Sequence, residues 1–125
     1  MSKALWIKEN LEKNEEYAGI ILGKDGAPDY HLILLPGKIE DANWKDALAW
    51  TKKIGGDLPT RREQSLLFAN LKEHFEARWY WSSEQNASHF IYAWGQYFDD
   101  GGQDCGNLGT KFRARAVRRL EIQSS

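Results

Sequence analysis

Two short apolar runs separated by a polar stretch stand near the start of the chain. The runs cover residues 19–23 and 30–35, and the stretch between them, 24–29, is rich in residues that favour turns. Apolar runs on either side of such a stretch predict a β-hairpin. The pattern therefore predicts that the first regular structure after the leader is a pair of antiparallel strands.

The leader ahead of this hairpin, residues 1–16, has only a weak pattern. Ala4, Ile7 and Leu11 have the spacing of a short amphipathic helix, whereas residues 5–7 could instead pair as a strand. Since the two alternatives are equally compatible with the sequence, we leave this segment unassigned.

Apolar positions after the hairpin follow a helical period. Asn43 is a good N-cap for a first helix, and Gly55 can end that helix in the left-handed conformation. The buried face of this helix is predicted to consist of Trp44, Ala47, Leu48, Thr51 and Ile54. Thr60 and Glu63 have the T-x-x-E spacing of a capping box, which predicts a second helix over about 61–75. Its inner stripe is predicted to be Leu67, Leu71 and either His74 or Phe75.

After residue 78 the side chains alternate with a period of two residues, which predicts strands. Trp79 and Trp81 face one side of the first of these strands, and Tyr80 faces the other. The next strand has one face made of Phe90, Tyr92, Trp94, Gln96 and Phe98, and the opposite face made of Ile91, Ala93, Gly95 and Tyr97. A polar turn over 99–104 precedes a last strand, which runs to about Leu120 and alternates Lys111, Arg113 and Arg115 with Phe112, Ala114 and Ala116. The order of hairpin, helices and strands predicts an α+β fold.

Composition narrows the expected class of protein. The 125 residues suit one domain, and the net charge of −1 provides no general attraction for nucleic acid. Without a run of 18 apolar residues or the apolar core of a signal peptide, we expect a cytoplasmic or virion-associated protein that does not insert into a membrane. The six tryptophans predict some exposed aromatic surface, with a tryptophan-rich core as the alternative.

Several short motifs occur in a characteristic order. They are 17–19, 34–37, Trp44 with Ala47 and Trp50, 58–61 with Glu63, 79–83, Ala93 with Trp94, Phe98 with Gly101, and 113–120. In this order they resemble the Lcl C-terminal-domain-like family, also known as domain of unknown function 1566, which is common in bacteria and their phages. The resemblance implies a C-type lectin-like domain over 17–121, between the leader and a tail over 122–125. It also implies a binding module, without indicating a shared ligand.

Calcium-dependent lectin chemistry is not implied, because its tripeptides Glu-Pro-Asn, Gln-Pro-Asp and Trp-Asn-Asp are absent. Cys105 is the single cysteine, so the stapling disulfides of such domains are also absent, and the cysteine chemistry of formylglycine-generating enzymes on this broad fold is not expected. Asp99, Asp100 and Asp104 lack the spacing of a calcium loop. We expect them to form a solvated turn or to pair with Arg113 and Arg115.

The three histidines offer no metal pair at i,i+4 spacing. His31, within an apolar strand, and His74, near a helix end, are predicted to be structural, whereas His89 lies in a predicted loop and could contact a ligand. We therefore expect no catalytic residues, no metal and no cofactor.

The predicted ligand-binding face lies between the strand at 79–83 and the basic strand that begins at Arg113. Its candidate residues are Gln85, Asn86, His89, Tyr92, Trp94, Gln96, Phe98, Asp99, Gln103 and Asn107. Large rigid aromatic rings mixed with adaptable amides are typical of binding surfaces. Trp94 and Phe98 could instead belong to the core.

These features, together with the family resemblance, predict a non-enzymatic module that recognises a protein or a saccharide, and the resemblance implies that a phage or prophage encodes it. A receptor-binding protein, a diversified variable protein and a homo-oligomer are all compatible with this prediction. The alternative is an intracellular phage accessory protein that binds and modulates a host protein.

Overall fold

The computed structural model describes residues 2–123 and has the predicted α+β composition. Its helices are α1 (Lys3–Asn10), α2 (Trp44–Lys53) and α3 (Arg61–Leu71), the last followed by a 3-10 turn (Lys72–His74). Its strands are β1 (Glu16–Ile21), β2 (Tyr30–Leu34), β3 (Ile39–Ala42), β4 (Trp79–Gln85), β5 (Tyr92–Tyr97), β6 (Gln103–Asn107), β7 (Phe112–Ala114) and β8 (Val117–Glu121). No helix in this part of the chain is long and apolar enough to span a membrane.

The strands form two sheets, and the first has the order β1-β2-β8. Strands β1 and β2 pair antiparallel, which confirms the predicted hairpin. Strand β8 pairs with the other edge of β2, so that Leu34 lies opposite Val117 and Tyr30 lies opposite Glu121. The beginning and the end of the folded chain therefore meet in one sheet.

The second sheet has the order β3-β7-β4-β5-β6. Strands β4, β5 and β6 are antiparallel neighbours, and β7 runs parallel to β4. The prediction of one continuous last strand is wrong, because β7 and β8 belong to different sheets. The chain turns between them at Arg115 and Ala116, where the Arg115 guanidinium donates to the carbonyl oxygens of His74 at 2.7 Å and Leu35 at 2.8 Å.

The ends of α2 follow the sequence signals. The Asn43 side chain accepts the backbone N–H of Asp46 at 2.9 Å, as expected of an N-cap. At the other end Gly55 has a φ of +87°, and the N–H of Gly56 donates to the carbonyl of Thr51 at 2.8 Å, which completes a Schellman motif. Trp44, Ala47 and Thr51 are buried as predicted and Leu48 is half-buried, whereas Ile54 is exposed because it is the C-cap residue, where the chain has left the helix.

The capping box of α3 is also confirmed. The Thr60 hydroxyl accepts the N–H of Glu63 at 3.2 Å, and the Glu63 carboxylate accepts the N–H of Thr60 at 2.8 Å. Leu67 and Leu71 are buried as predicted, but the α-helix ends at Leu71, before the predicted 75. Of the two candidates for the next core position, Phe75 is the one that packs inward.

The core has two parts, one on each face of the second sheet. One part lies between the first sheet, α3 and one face of β4 and β5, and includes Leu34, Leu67, Tyr80, Phe98 and Val117. The other lies between α2 and the opposite face, and includes Trp44, Ala47, Leu58, Trp81 and Ala114. Strand β4 is therefore buried on both sides, since Tyr80 and Trp81 point in opposite directions and are 2% and 0% exposed.

Tryptophans occupy both kinds of environment. Trp44 and Trp81 are buried, and their indole N–H groups each donate to a backbone carbonyl oxygen at 2.8 Å. The other four are half-buried: Trp6, Trp50, Trp79 and Trp94. Both interpretations of the tryptophan content are therefore correct in part.

The leader contains α1, which packs on the first sheet through Trp6. The ring of Trp6 lies 4.0 Å from that of His31 and 5.2 Å from that of Tyr17, measured between centroids. His31 also shares a 2.8 Å hydrogen bond with the Tyr17 hydroxyl, and burial lowers the pKa of this histidine. These contacts give His31 the structural role that its position in the sequence predicts.

Candidate functional site

The β5–β6 hairpin brings half of the predicted site residues onto one side of the sheet. In its register Tyr92 lies opposite Asn107, Trp94 opposite Cys105, and Gln96 opposite Gln103. Directly opposed residues of an antiparallel pair point to the same side of the sheet. We call the side formed by Tyr92, Trp94, Gln96, Gln103, Cys105 and Asn107 the hairpin face. Its Gln96–Gln103 end packs against the start of α3.

Arg61, the first residue of α3, is stacked on this face. The carbon centre of its guanidinium lies 3.5 Å from the centroid of the Trp94 ring. Its Nε donates to the Gln103 side-chain oxygen at 3.0 Å. A guanidinium over a tryptophan face is attracted by the ring quadrupole, and the hydrogen bond fixes its rotation.

A chain of amides anchors the same region to α3. The side-chain nitrogen of Gln103 donates to the Arg61 carbonyl at 2.8 Å and to the Gln96 side-chain oxygen at 2.9 Å. Gln96 in turn donates to the carbonyl of Gln64 at 2.7 Å. Because each amide has a defined partner, the hairpin is held rigidly against the helix.

An open groove of about 570 Å³ lies beside Arg61. It is lined by Tyr30, Thr60, Arg61, Arg62, Ser65, Glu84 and Gln103. The Glu84 carboxylate accepts the backbone N–H of Arg61 at 2.7 Å, so it satisfies one of the free N–H groups at the start of α3. Of the ten residues predicted from the sequence, Gln103 alone is among these lining residues.

The ionisable side chains next to the groove are held by hydrogen bonds to one another. Glu63, which is fully buried, accepts hydrogen bonds from Arg119 and from the Tyr30 hydroxyl, the latter at 2.5 Å. Burial acts to raise the pKa of Glu63, but the hydrogen bonds from Arg119, Tyr30 and the Thr60 backbone hold this pKa below its ordinary value. Burial, together with the Glu63 carboxylate, raises the pKa of Tyr30 to about 12. At neutral pH Glu63 is therefore ionised and Tyr30 is protonated.

The predicted residues near the β4–β5 loop mainly organise the backbone. The side-chain oxygen of Asn86 accepts the N–H groups of Ser88 and His89, and its nitrogen lies 3.2 Å from the Cys105 sulfur. Gln85 donates to the carbonyl of Phe90 at 2.9 Å. His89 is exposed, with its ring 6.4 Å from that of Tyr92.

Asp99 does not lie with these loop residues. It follows the end of β5, whereas residues 86–91 precede the start of that strand. A strand of this length spans about 20 Å, so a small ligand would not contact both ends. Asp99 is exposed, and its carbonyl oxygen accepts a hydrogen bond from Lys72 at 2.9 Å.

Two of the predicted site residues are not on the surface. Gln96 is 0% exposed and Phe98 is 1% exposed, so the expectation that this part of the face is accessible is wrong. Phe98 stacks on Phe75 with 4.0 Å between ring centroids. Beyond the middle of β5, the side that carries Gln96 and Phe98 is covered by α3 and the segment that follows it. The exposed apolar side chains lie instead in the loop before β5, where Phe90 is 77% and Ile91 is 51% exposed.

The expected pairing of the acidic turn with the basic strand is also wrong. Arg113 lies 3.3 Å from Glu76 and 3.9 Å from Glu40, measured between nitrogen and oxygen. Arg115 donates to backbone carbonyls, as described above. The reason is topological: β4 and β5 lie between β7 and β6, so these arginines are remote from Asp104.

Sequence reasoning missed most of the groove. Tyr30, Arg61, Arg62, Ser65 and Glu84 come from three separate segments of the chain. The capping box located the start of α3, and with it Arg61, but no local pattern indicated that the β5–β6 hairpin packs there.

Within 2–123, no group of three His, Cys, Asp or Glu side chains is placed to hold a metal ion. Asp100 and Asp104 accept backbone N–H groups of Gly102 and Cys105 at 2.8 and 2.7 Å. These two carboxylates therefore help to shape the β5–β6 turn.

Comparison with known proteins gives no assignment. No family model matches the chain, and no curated protein matches it. The interpretation of the site consequently depends on its own geometry.

Proposed function

We propose that this chain is a non-enzymatic recognition domain of the C-type lectin-like type, related to the Lcl C-terminal-domain-like family, and that it binds a protein or saccharide in the groove beside Arg61. The observation that carries the proposal is the fixed arrangement of Arg61, Trp94 and Gln103 at the edge of this groove. The setting we propose is a phage or its bacterial host.

The fold supports this proposal. The first hairpin and the last strand share one sheet, two helices follow the hairpin, and β5 and β6, the strands between β4 and β7, form one edge of the second sheet. The resemblance in sequence implies a domain in which this last region builds the ligand face. The exposed residues of such a region can change without loss of the scaffold, since its core positions, such as Ala93 and Phe98, are buried.

Preorganisation also favours binding. The Arg61 side chain is held by a ring and an amide, and Gln103 is held by two acceptors. Side chains that are already ordered lose little conformational entropy when a ligand arrives. The groove is thus suited to recognition without rearrangement.

The ionisable groups favour binding over catalysis. Tyr30, with a pKa raised to about 12, is a poor proton donor at neutral pH, and the Glu84 carboxylate is engaged by a backbone N–H. A general acid or base would need a pKa near the working pH.

A groove-filling variant tests the proposal. Wild-type protein is first screened against a glycan array and against extracts of bacterial surface and cytosolic proteins to obtain a ligand. Ser65→Trp, at an exposed helical position that lines the groove, should abolish binding and leave the melting temperature nearly unchanged. Ala49→Trp, at an exposed position on α2, is the matched control and should bind normally.

Two results would contradict the proposal. One is a folded Ser65→Trp protein that binds as tightly as wild type, since this would place the ligand elsewhere. The other is a wild-type protein that retains no ligand from any of these libraries.

A further inference from the structure

We infer that the ligand of this groove carries a carboxylate group, which the two terminal nitrogens of the Arg61 guanidinium bind as a fork. This inference rests on the proposed binding function and specifies its chemistry. The shared chemistry has two sources, an acidic side chain of a protein and an acidic sugar, and the experiment below separates them.

The orientation of the Arg61 guanidinium is fixed, but its hydrogen-bond donors are not all used. Its plane is set by Trp94 at 3.5 Å, and its Nε is used by Gln103 at 3.0 Å. Among residues 2–123, no acceptor bonds to its Nη1 or Nη2, and no carboxylate forms an ion pair with it. A guanidinium has five N–H donors, so four are left in a fixed orientation.

The other arginines of the fold use their guanidinium groups differently. Arg113, Arg118 and Arg119 pair with carboxylates, and Arg115 uses both terminal nitrogens on carbonyl oxygens. Arg62 and Arg78 each donate one terminal nitrogen to a carbonyl oxygen. Arg61 differs because its side-chain hydrogen bond uses Nε, so both terminal nitrogens of the fork stay free beside the groove.

The geometry of the Arg61 side chain suits a ligand with two oxygen acceptors. Arginine binds carboxylates and phosphates through two parallel N–H···O bonds, and this contact needs the guanidinium plane to be oriented. The stack on Trp94 provides that orientation before the ligand arrives. The Ser65 hydroxyl also lines the groove, and its contact with the Arg61 carbonyl is long, at 3.4 Å, so it can donate to the same ligand.

The charge of the groove distinguishes between a carboxylate and a phosphate. The groove is lined by two cations, Arg61 and Arg62, and by one anion, Glu84, which leaves one net positive charge. A carboxylate carries a single negative charge, whereas a phosphate monoester carries about −1.5 to −2 at neutral pH. Because Glu84 would repel the second charge of a phosphate, the groove favours a carboxylate.

The experiment observes the Arg61 Nε–H signal of ¹⁵N-labelled protein by NMR, with the signal assigned from Arg61→Lys. The probes are the dipeptide acetyl-Glu-Glu-amide and a glucuronic acid disaccharide. Acetyl-Gln-Gln-amide and a glucose disaccharide are the neutral counterparts, and ionic strength is held constant. We expect at least one acid, but neither neutral probe, to shift this signal saturably, and the acid that does so identifies the source of the carboxylate.

Three variants sharpen the result. Arg61→Lys should weaken binding of the active acid at least about tenfold, because lysine lacks the planar fork. Arg78→Lys, at an exposed arginine outside the groove, is the matched control and should bind as wild type does. Glu84→Gln should bind more tightly, since it removes the repelling charge but keeps an oxygen for the Arg61 N–H.

The inference is overturned if neither acid shifts the signal, if the neutral probes shift it equally, or if folded Arg61→Lys binds the active acid as tightly as wild type. If Arg61→Lys proves unstable, the affinity of Glu84→Gln for the active acid provides the test. An affinity equal to that of wild type would then count against the inference. If the ligand proves to be neutral and Ser65→Trp blocks its binding, the proposed binding function stands and only the inference of a carboxylate is wrong.

Discussion

Glu63 and Arg119 form a two-point ion pair that joins the first turn of α3 to β8. The Nε and Nη2 atoms of Arg119 lie 2.7 and 2.8 Å from the two carboxylate oxygens. The same carboxylate completes the capping box by accepting the N–H of Thr60, and it accepts the hydroxyl of Tyr30 from β2. One buried side chain therefore connects a helix start with two strands of the first sheet.

Replacing Arg119 with alanine should destabilise the protein by about 3 kcal/mol, the lower end of the range for breaking a buried ion pair. The lower end applies because the Arg119 side chain is 29% exposed, so water can partly replace it. Chemical denaturation measures the change. Arg78→Ala, at an exposed arginine whose guanidinium reaches the carbonyl of Ala77, is the control and should change stability by less than about 0.5 kcal/mol. Equal effects of the two substitutions would show that the ion pair adds no stability.

Stability should fall in acid because of Glu63. Its pKa in the folded protein lies below its ordinary value of 4.5, so its contribution is fully present above that pH and is lost as pH falls through the lower folded value. Thermal melts between pH 7 and pH 3 should therefore show a steeper decline for wild type than for Glu63→Gln. Some decline should persist in the variant, because hydrogen bonds from Arg118 and Lys52 lower the pKa values of Glu15 and Asp57. Parallel pH profiles would contradict this assignment.

The sequence predicted those features that a few neighbouring residues determine. The capping box of Thr60 and Glu63, the Asn43 cap and the glycine end of α2 are all formed within one helical turn. The first hairpin is predictable for a similar reason, since its two apolar runs are adjacent along the chain. In each helix cap the donor and the acceptor are close neighbours in the sequence, so the local pattern is enough to predict the hydrogen bond.

The features that the sequence did not predict depend on the packing of distant segments. Arg119 and Glu63 are 56 residues apart, and Arg61 and Gln103 are 42 apart. Alternation along β5 identified which residues share a face, but it did not show that α3 covers the Gln96 end of that face. The division between β7 and β8 was hidden because the alternation of small and basic residues continues through the bend at Arg115.

Thr60→Ala should lower stability by about 1 kcal/mol, within the usual range for loss of an N-cap. The lost contact is the acceptance of the Glu63 N–H by the Thr60 hydroxyl. The effect should stay moderate because Arg119 continues to hold Glu63 at the helix start. Thermal melts of this variant and of Thr110→Ala, an exposed control, provide the measurement. A Thr60→Ala protein that melts with the control would show that the ion pair alone fixes the start of α3.

Excess chelator should leave the melting temperature unchanged. The acidic turn is the segment to examine, but Asp100 and Asp104 already accept backbone N–H groups, and no third ligand is placed with them within residues 2–123. Differential scanning calorimetry with EDTA, and then with added calcium, tests this expectation. A fall of several degrees that calcium reverses would contradict it and would direct attention to Asp99, Asp100 and Asp104.

Gln96→Ala should destabilise the fold, whereas Gln85→Ala should not, although both glutamines belong to the predicted ligand-binding set. Gln96 is fully buried and bonds to the Gln64 carbonyl and to the Gln103 side chain, so alanine would remove two hydrogen bonds and leave a cavity under the hairpin. Each hydrogen bond lost costs about 0.5–1.5 kcal/mol. Gln85 is exposed, and water can replace its bond to the Phe90 carbonyl. Chemical denaturation of the two variants gives the comparison, and similar free energies of unfolding would mean that the amide chain between the hairpin and α3 does not hold the two together.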